Sequence, residues 1–510
     1  MHHGYKSTNR DAKSARETRT TSTVELRNQK RNEMLQKKRT MAISRGPSLY
    51  SISELAEKVT SDDADKIVDA VTEFRRLLSA TKVPPIDSIV ENGLTPVFSK
   101  LIDANNPFFA TIPKEKVKRI MHESAWVVTN IASGNSYQTE ALIKCGCVTN
   151  LIKLMHIDDL ELQDQAVWAL GNISGDGEEA RDLVIRGGVT EPLLGLIGMA
   201  MNNRETFLGF LKNLIWALSN TNRGRNPPAP FEHMQMSLPA VVTLIRTESN
   251  PDILADAFWA LSYICDAGVP QANLVLETGI IVDTVRILAS YQELVSKEET
   301  EFITRREKTI SPIMRTLGNI ITYEDHHTDY ILSLGVIDIL KHIYSVPFDS
   351  KKSLRIKKEI CWVISNITAG TPAQIDEVIK AGFLEILVNA VNNADQATKV
   401  EACWAICNAT IHANEHIHQA REVLRAGTIP AFAKVLPMIR NDTKVTAVIL
   451  DCITNLLECG RTESMGAENQ VATDIENTTL LDQVEELQTA ENVKIASKAE
   501  NIIRVYFDCH

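Results

Sequence analysis

Ala166–Gly177 reads AVWALGNISGDG and spaces Trp168, Asn172 and Asp176 four residues apart. A four-residue step places side chains on one face of a helix, one turn apart. The phrase recurs as SAWVVTN, LIWALSN, AFWALSY, EICWVISN and EACWAICN. These copies put Trp126, Trp216, Trp259, Trp362 and Trp404 four residues before Asn130, Asn220, Tyr263, Asn366 and Asn408. All six tryptophans of the chain lie in this one phrase. Two further copies replace the indole. IMRTLGN has Arg315 and Asn319, and ILDCITN has Asp451 and Asn455.

Successive tryptophans are 42, 48 and 43 residues apart from Trp126 to Trp259, and 42 apart from Trp362 to Trp404. Periods of about 40–47 residues built from two or three helices are the mark of armadillo and HEAT solenoids, in which each unit packs only on its neighbours. The expected fold class is all-α, a right-handed armadillo-repeat superhelical solenoid of about ten repeats over residues 53–508. Gly93, Gly146, Gly188, Gly279, Gly335, Gly382 and Gly427 each stand between a short helix and an apolar one. Glycine suits such a sharp junction because it tolerates positive φ. Gly146 and Gly382 both precede their Trp by 22 residues, which assigns the Trp phrase to the third and longest helix of a unit. The fourth unit carries NPPAP in place of the glycine, so its first helix is expected to be broken or short. The stretch SYQELVSKEETEFITRREKT, residues 290–309, reads as an extended, charged connection on the outside of the solenoid.

The net charge is −11, unevenly spread. Residues 1–45 hold 12 Lys/Arg against 4 Asp/Glu, a balance of +8, so the remainder carries −19. A basic segment on an acidic body is able to sit on that body. The acidic body repels nucleic-acid phosphates. No apolar run has the length of a membrane-spanning helix, and the polar N-terminus lacks the apolar core of a secretory signal. Nine scattered cysteines fit reduced thiols, and a soluble protein of cytosol or nucleus is expected. Residues 1–22 lack apolar periodicity and are expected to be disordered alone. Residues 23–39, TVELRNQKRNEMLQKKR, favour a helix but offer too little apolar surface to hold one without a partner. Residues 46–52, with Gly46-Pro47, read as a linker.

The recurring Trp–Asn pair has a definite chemistry. Adjacent indoles on stacked third helices form slots about 10 Å apart. A lysine stem fits between aromatic faces, and its ammonium gains about 0.5–2 kcal/mol from each ring quadrupole. Asn offers a donor and an acceptor to a peptide backbone of any sequence. Asp176, Asp256, Asp266, Glu359 and Glu401 add carboxylates beside the phrases. Together these features predict a receptor for an extended, lysine-rich peptide.

The phrases SAWVVTNIASG, AVWALGNISGDGE, RDLVIRGG, LADAFWALSY and SNITAG closely resemble the repeats of the importin-α (karyopherin-α) family, and TVELRNQKRNEMLQKKR resembles its importin-β-binding region. The likeness runs from about Thr23 to Phe507. It implies a nuclear import adaptor with two grooves for nuclear localisation signals. Trp126, Asn130, Gly134, Thr139, Gln165, Trp168, Asn172, Asp176, Trp216 and Asn220 match the major groove, Asp176 at the position whose carboxylate pairs with the key cargo lysine. Arg315, Asn319, Glu359, Trp362, Asn366, Glu401, Trp404 and Asn408 match the minor groove. Asp256, Trp259 and Tyr263 lie in an intermediate zone. In residues 1–45, Arg27, Lys30, Arg31, Lys37, Lys38 and Arg39 are implied to contact importin-β, and Lys37–Arg39 resembles an internal pseudo-signal able to occupy the chain's own major groove. Implied partners are importin-β, cargo with mono- or bipartite lysine-rich signals, and an export receptor at the C-terminal repeats. Shuttling between cytoplasm and nucleus follows.

Other signals are weaker. His412, His416 and His418 follow the Trp404 helix and read as a polar turn rather than a metal site. Cys145, Cys147, Cys403 and Cys407 read as small apolar fillers. No nucleophile–base–acid set is visible, so neither an enzyme nor a cofactor or metal is expected. A different armadillo scaffold for acidic peptides would line its groove with Lys and Arg. An importin-β-like carrier would lack the regular Trp–Asn phrase.

Overall fold

Helical periodicity at every level of the sequence produces a chain of helices and turns. The computed structural model describes residues 50–80, 83–296, 300–346, 350–465 and 468–507. The expectations for residues 1–45 and for most of the linker lie outside the described residues. The helices fall into two bodies, one ending at Thr278 and one beginning at Gly279.

The first body opens with α1 (Ile52–Val59) and α2 (Ala64–Ala80). Ser51 caps α1 through a reciprocal box with Glu54, which satisfies two otherwise unpaired backbone donors. Three-helix units follow: α3 (Ile86–Glu91), α4 (Thr95–Leu101) and α5 (Lys114–Ala132); α6 (Ser136–Lys144), α7 (Cys147–Leu154) and α8 (Leu160–Ser174); α9 (Glu178–Arg186), α10 (Thr190–Asn202) and α11 (Arg204–Thr221). The next unit has only α12 (Phe231–Thr247) and α13 (Pro251–Asp266), and α14 (Val269–Glu277) ends the body. The prolines of the fourth unit therefore do more than shorten its first helix. They hold residues 222–230 as a turn, and the first and second helices are replaced by the single α12, which runs through Pro239.

The second body contains α15 (Ile280–Ser296) and α16 (Thr300–Ile321), then α17 (Asp325–Ser333), α18 (Val336–Ser345) and α19 (Ser350–Thr368). After these come α20 (Pro372–Lys380), α21 (Phe383–Asn393) and α22 (Gln396–Asn408), then α23 (Ile417–Arg425), α24 (Thr428–Ile439) and α25 (Thr443–Ser464). The body ends with α26 (Gln470–Glu476), α27 (Leu480–Leu487) and α28 (Val493–Tyr506). The expected extended connection at 290–309 is corrected here. Residues 290–296 continue α15, and 300–309 begin α16. The stretch contains neither Gly nor Pro and is rich in Glu, Lys and Arg, residues that cost little in a helix.

Within each body the third helices stack side by side, α2 on α5, α5 on α8, α8 on α11 and α11 on α13, and likewise α16 on α19, α19 on α22 and α22 on α25. All seven junction glycines adopt positive φ, between +67° and +93°, as the sequence requires. The core lies between helices of the same and adjacent units. On α5, for example, Val127, Val128 and Ile131 are fully buried. First helices are tied by polar bonds: Gln138 Nε2 donates to Asp87 Oδ1 at 2.6 Å, Gln374 Nε2 to Asp329 Oδ1 at 2.7 Å and Gln419 Nε2 to Asp376 Oδ1 at 2.8 Å. Among the described residues there is no strand, only an isolated bridge between Arg225 and Pro228.

Candidate peptide-binding faces

The stacked third helices present the Trp–Asn phrases as a row within each body. In the first body these are Trp126 and Asn130 on α5, Trp168 and Asn172 on α8, Trp216 and Asn220 on α11, and Trp259 and Tyr263 on α13. In the second they are Arg315 and Asn319 on α16, Trp362 and Asn366 on α19, and Trp404 and Asn408 on α22. Trp126, Trp216 and Trp404 are half-buried, while Trp168, Trp259 and Trp362 are buried.

The asparagines have a role that the sequence did not disclose. Asn172 is 1% exposed, and its Nδ2 donates to the Thr129 carbonyl of the preceding unit at 3.1 Å. Asn220 does the same to Gly171 O at 2.9 Å, Asn366 to Gly318 O at 3.4 Å and Asn408 to Ser365 O at 2.9 Å. Each of these acceptors is the residue just before the preceding unit's own asparagine. The amide is thus fixed by one donor bond to its neighbour, which satisfies a group that would otherwise cost about 1–3 kcal/mol to bury. In Asn172 the Oδ1 has no hydrogen-bond partner. The amide nitrogen ties the repeats together, and the Oδ1 is enclosed with it.

The residue before each asparagine, and before Tyr263, is small in all eight copies: Thr129, Gly171, Ser219, Ser262, Gly318, Ser365, Cys407 and Thr454. Geometry explains it. A Cβ built on Gly171 would lie 2.5 Å from Cζ3 of Trp216, and one on Gly318 would overlap the Trp362 ring. At both glycines the next unit's indole packs close against this backbone. The signal was present in the sequence as a fixed position within the phrase, beside the residues that drew attention.

The carboxylates divide. Asp176 is exposed at the end of α8 and accepts a 3.3 Å bond from the Ser136 hydroxyl. Asp256 is half-buried on α13. Asp266 pairs with Arg225 at 3.6 Å. Glu359, which the sequence offered as a cargo acid, is 3% exposed and paired with Arg315 Nε at 3.1 Å. Arg315 also stands 5.7 Å over the Trp362 ring. This guanidinium stands beside the indole and pairs with the carboxylate. Glu401 is buried on α22.

Remaining site residues serve local structure as well. At Gly134 a side chain would overlap Gln138 Oε1, which closes the N-terminal cap of α6. Thr139 is buried and its Oγ1 lacks a hydrogen-bond partner. Gln165 is buried and accepts from the Thr129 hydroxyl at 3.2 Å. Trp259 and Tyr263 stack with centroids 6.0 Å apart. Arg75 lies 4.9 Å over Trp126 and donates to Glu123 at 2.6 Å.

Comparison with known proteins agrees with this architecture. The family profile described as Importin beta binding domain matches residues 2–73, and Armadillo/beta-catenin-like repeat matches 135–175 and 371–411. Importin subunit alpha-1a of Oryza sativa subsp. japonica is 34% identical over 98% of this chain and 90% of its own length. Importin subunit alpha-4 of Arabidopsis thaliana is 35% identical over 98% of this chain and 89% of its own length. The chain belongs to the importin-α family. An engineered protein of known crystal structure shares the fold, with a TM-score of 0.68 at 21% identity over 89% of this chain and 98% of that one. Importin-α proteins are transport adaptors, so this chain is an adaptor and not an enzyme. The importin beta binding match runs beyond residue 45 into α1 and α2. His412 lies in the turn after α22, His416 caps α23 and His418 stands in its first turn, so the expected single polar turn is corrected. His418 Nε2 meets Asp376 at 2.8 Å and His412 Nε2 meets Gly370 O at 3.1 Å.

Proposed function

We propose that this importin-α carries proteins bearing lysine-rich nuclear localisation signals, held extended along the Trp–Asn faces, and couples them to importin-β through residues 1–45. The observation that carries the reading is the row of indoles in the first body, with Trp216 seated on Gly171, Asn172 and Asn220 anchored beside it, and Asp176 exposed at the end of α8. Lysine stems lie between indoles, and Asp176 pairs with one ammonium. In the second body Arg315 blocks the first slot, which leaves Trp362 and Trp404 for a shorter basic cluster. Two such clusters suit bipartite signals.

The N-terminal segment has two uses in this reading. Arg27, Lys30, Arg31 and Lys37–Arg39 bind importin-β, or Lys37–Arg39 occupy the first face of the same molecule. Tethering raises the local concentration of so weak a ligand to about millimolar. Importin-β removes the competitor, cargo affinity rises, and the adaptor shuttles between cytoplasm and nucleus. In this scheme residues 46–52 link the segment to the repeats of 53–508, and the last helices receive an export receptor.

A fluorescent lysine-rich peptide, titrated against the full chain and a chain beginning at Pro47, tests this. The shorter chain binds more tightly, and Asp176→Lys abolishes the gain. Equal affinities would remove the self-occupancy, and absence of binding to both would remove the cargo reading.

A further inference from the structure

Cys145 and Cys147 flank Gly146 at the junction of α6 and α7. Their Sγ atoms are 3.6 Å apart. Cys147 is fully buried as the first residue of α7, while Cys145 is half-buried and reaches solvent. Cys403 and Cys407 are buried, as the filler reading expects, while Cys145 and Cys147 form a close thiol pair. Gly146 sits at φ +78° with nothing within 4 Å of the position a Cβ would take, so the backbone between the two thiols has room to move.

We propose that Cys145–Gly146–Cys147 is a thiol redox site, in which a peroxide oxidises Cys145 and Cys147 resolves it to an intramolecular disulfide. The accessible thiolate of Cys145 attacks one peroxide oxygen, the O–O bond breaks, and hydroxide leaves. The resulting sulfenic acid is attacked by the Cys147 sulfur, which forms the S–S bond and expels water after proton transfer. In sum, two thiols and one hydrogen peroxide give one disulfide and two waters. Burial sets the order of events, because only Cys145 meets the oxidant, and Cys147 stands close enough to resolve it before further oxidation. The Cys147 thiol hydrogen-bonds Cys145 and draws its pKa down to about 7, so that about half is thiolate at neutral pH, while the same bond and burial push Cys147 up. The other described cysteines are buried.

The sequence supplies a clean readout. Trypsin cuts after Lys144 and Lys153, and the peptide between contains these two cysteines and no others. The folded protein is treated with hydrogen peroxide, then denatured, alkylated with iodoacetamide and digested. The expected peptide has lost two hydrogens and is not alkylated until dithiothreitol is added. In Cys147→Ala, Cys145 is captured by dimedone as the sulfenic acid, and in Cys145→Ala, Cys147 stays reduced. Native-state alkylation of Cys145 at pH 7 falls about tenfold in Cys147→Ala, as the thiolate fraction returns toward that of an ordinary thiol. Two alkylated cysteines in the wild-type peptide, under peroxide that fully oxidises free glutathione, would overturn the proposal. So would sulfinic acid at Cys145 beside a reduced Cys147.

Discussion

Replacing Gly171 by Ala tests how the indole row is seated. The new Cβ would stand 2.5 Å from Trp216 Cζ3, 3.0 Å from Cε3 and 3.1 Å from Cη2. Ordinary carbon contacts lie at about 3.5–4.0 Å, so the ring must retreat by about 1 Å. Overpacking of this kind costs about 1–3 kcal/mol. Ala in place of a helical Gly returns about 1 kcal/mol, so the net loss of stability is about 0–2 kcal/mol. The displaced indole also forfeits its share of a lysine slot, about 0.5–2 kcal/mol, or a weakening of about two- to thirtyfold at 1.4 kcal/mol per tenfold. Thermal melting and peptide anisotropy measure the two effects. In a Trp216→Leu background the clash is gone, and Gly171→Ala should stabilise by about the helix-propensity gain, so the cycle isolates the contact. A Gly171→Ala protein that melts higher than wild type and binds peptide unchanged would refute the seating argument.

Further outcomes are expected. Arg315→Ala removes the guanidinium paired with buried Glu359 and should cost about 3–5 kcal/mol, most of it recovered in Arg315→Ala/Glu359→Gln, as read from melting temperatures. Asn172→Asp places a carboxylate oxygen against Thr129 O where an N–H now donates; a loss of about 1–3 kcal/mol and weaker peptide binding should follow. His233 is held neutral, its pKa pushed down to about 4 chiefly by burial and then by Arg181. The unfolded imidazole titrates near 6.5, so its contribution is complete above about pH 6.5 and is lost as the pH falls toward 4. His233→Gln should flatten that acid limb of the melting curve by up to about 3 kcal/mol relative to wild type.

Local rules made much of this protein legible in its sequence. The period of the Trp phrases determined the helical units, and the seven glycines marked junctions that all proved to need positive φ. The four-residue step determined that Trp168 and Asn172 share one face of α8. These follow from helix geometry and backbone sterics, which act within a few residues. What the tertiary structure decided concerns groups about 40–50 residues apart. Asn172 was readable as a polar ladder residue, but only stacking brings the Thr129 carbonyl to its Nδ2 and buries the amide. Glu359 read as a carboxylate for cargo until the packing of α16 on α19 set Arg315 against it. The small residue before each asparagine was in plain sight, but its meaning required the next unit's indole. A single sequence specifies which side chains share a helix face. Which partner each one meets depends on the rise and rotation from one repeat to the next, and that is set by the packing of whole helices.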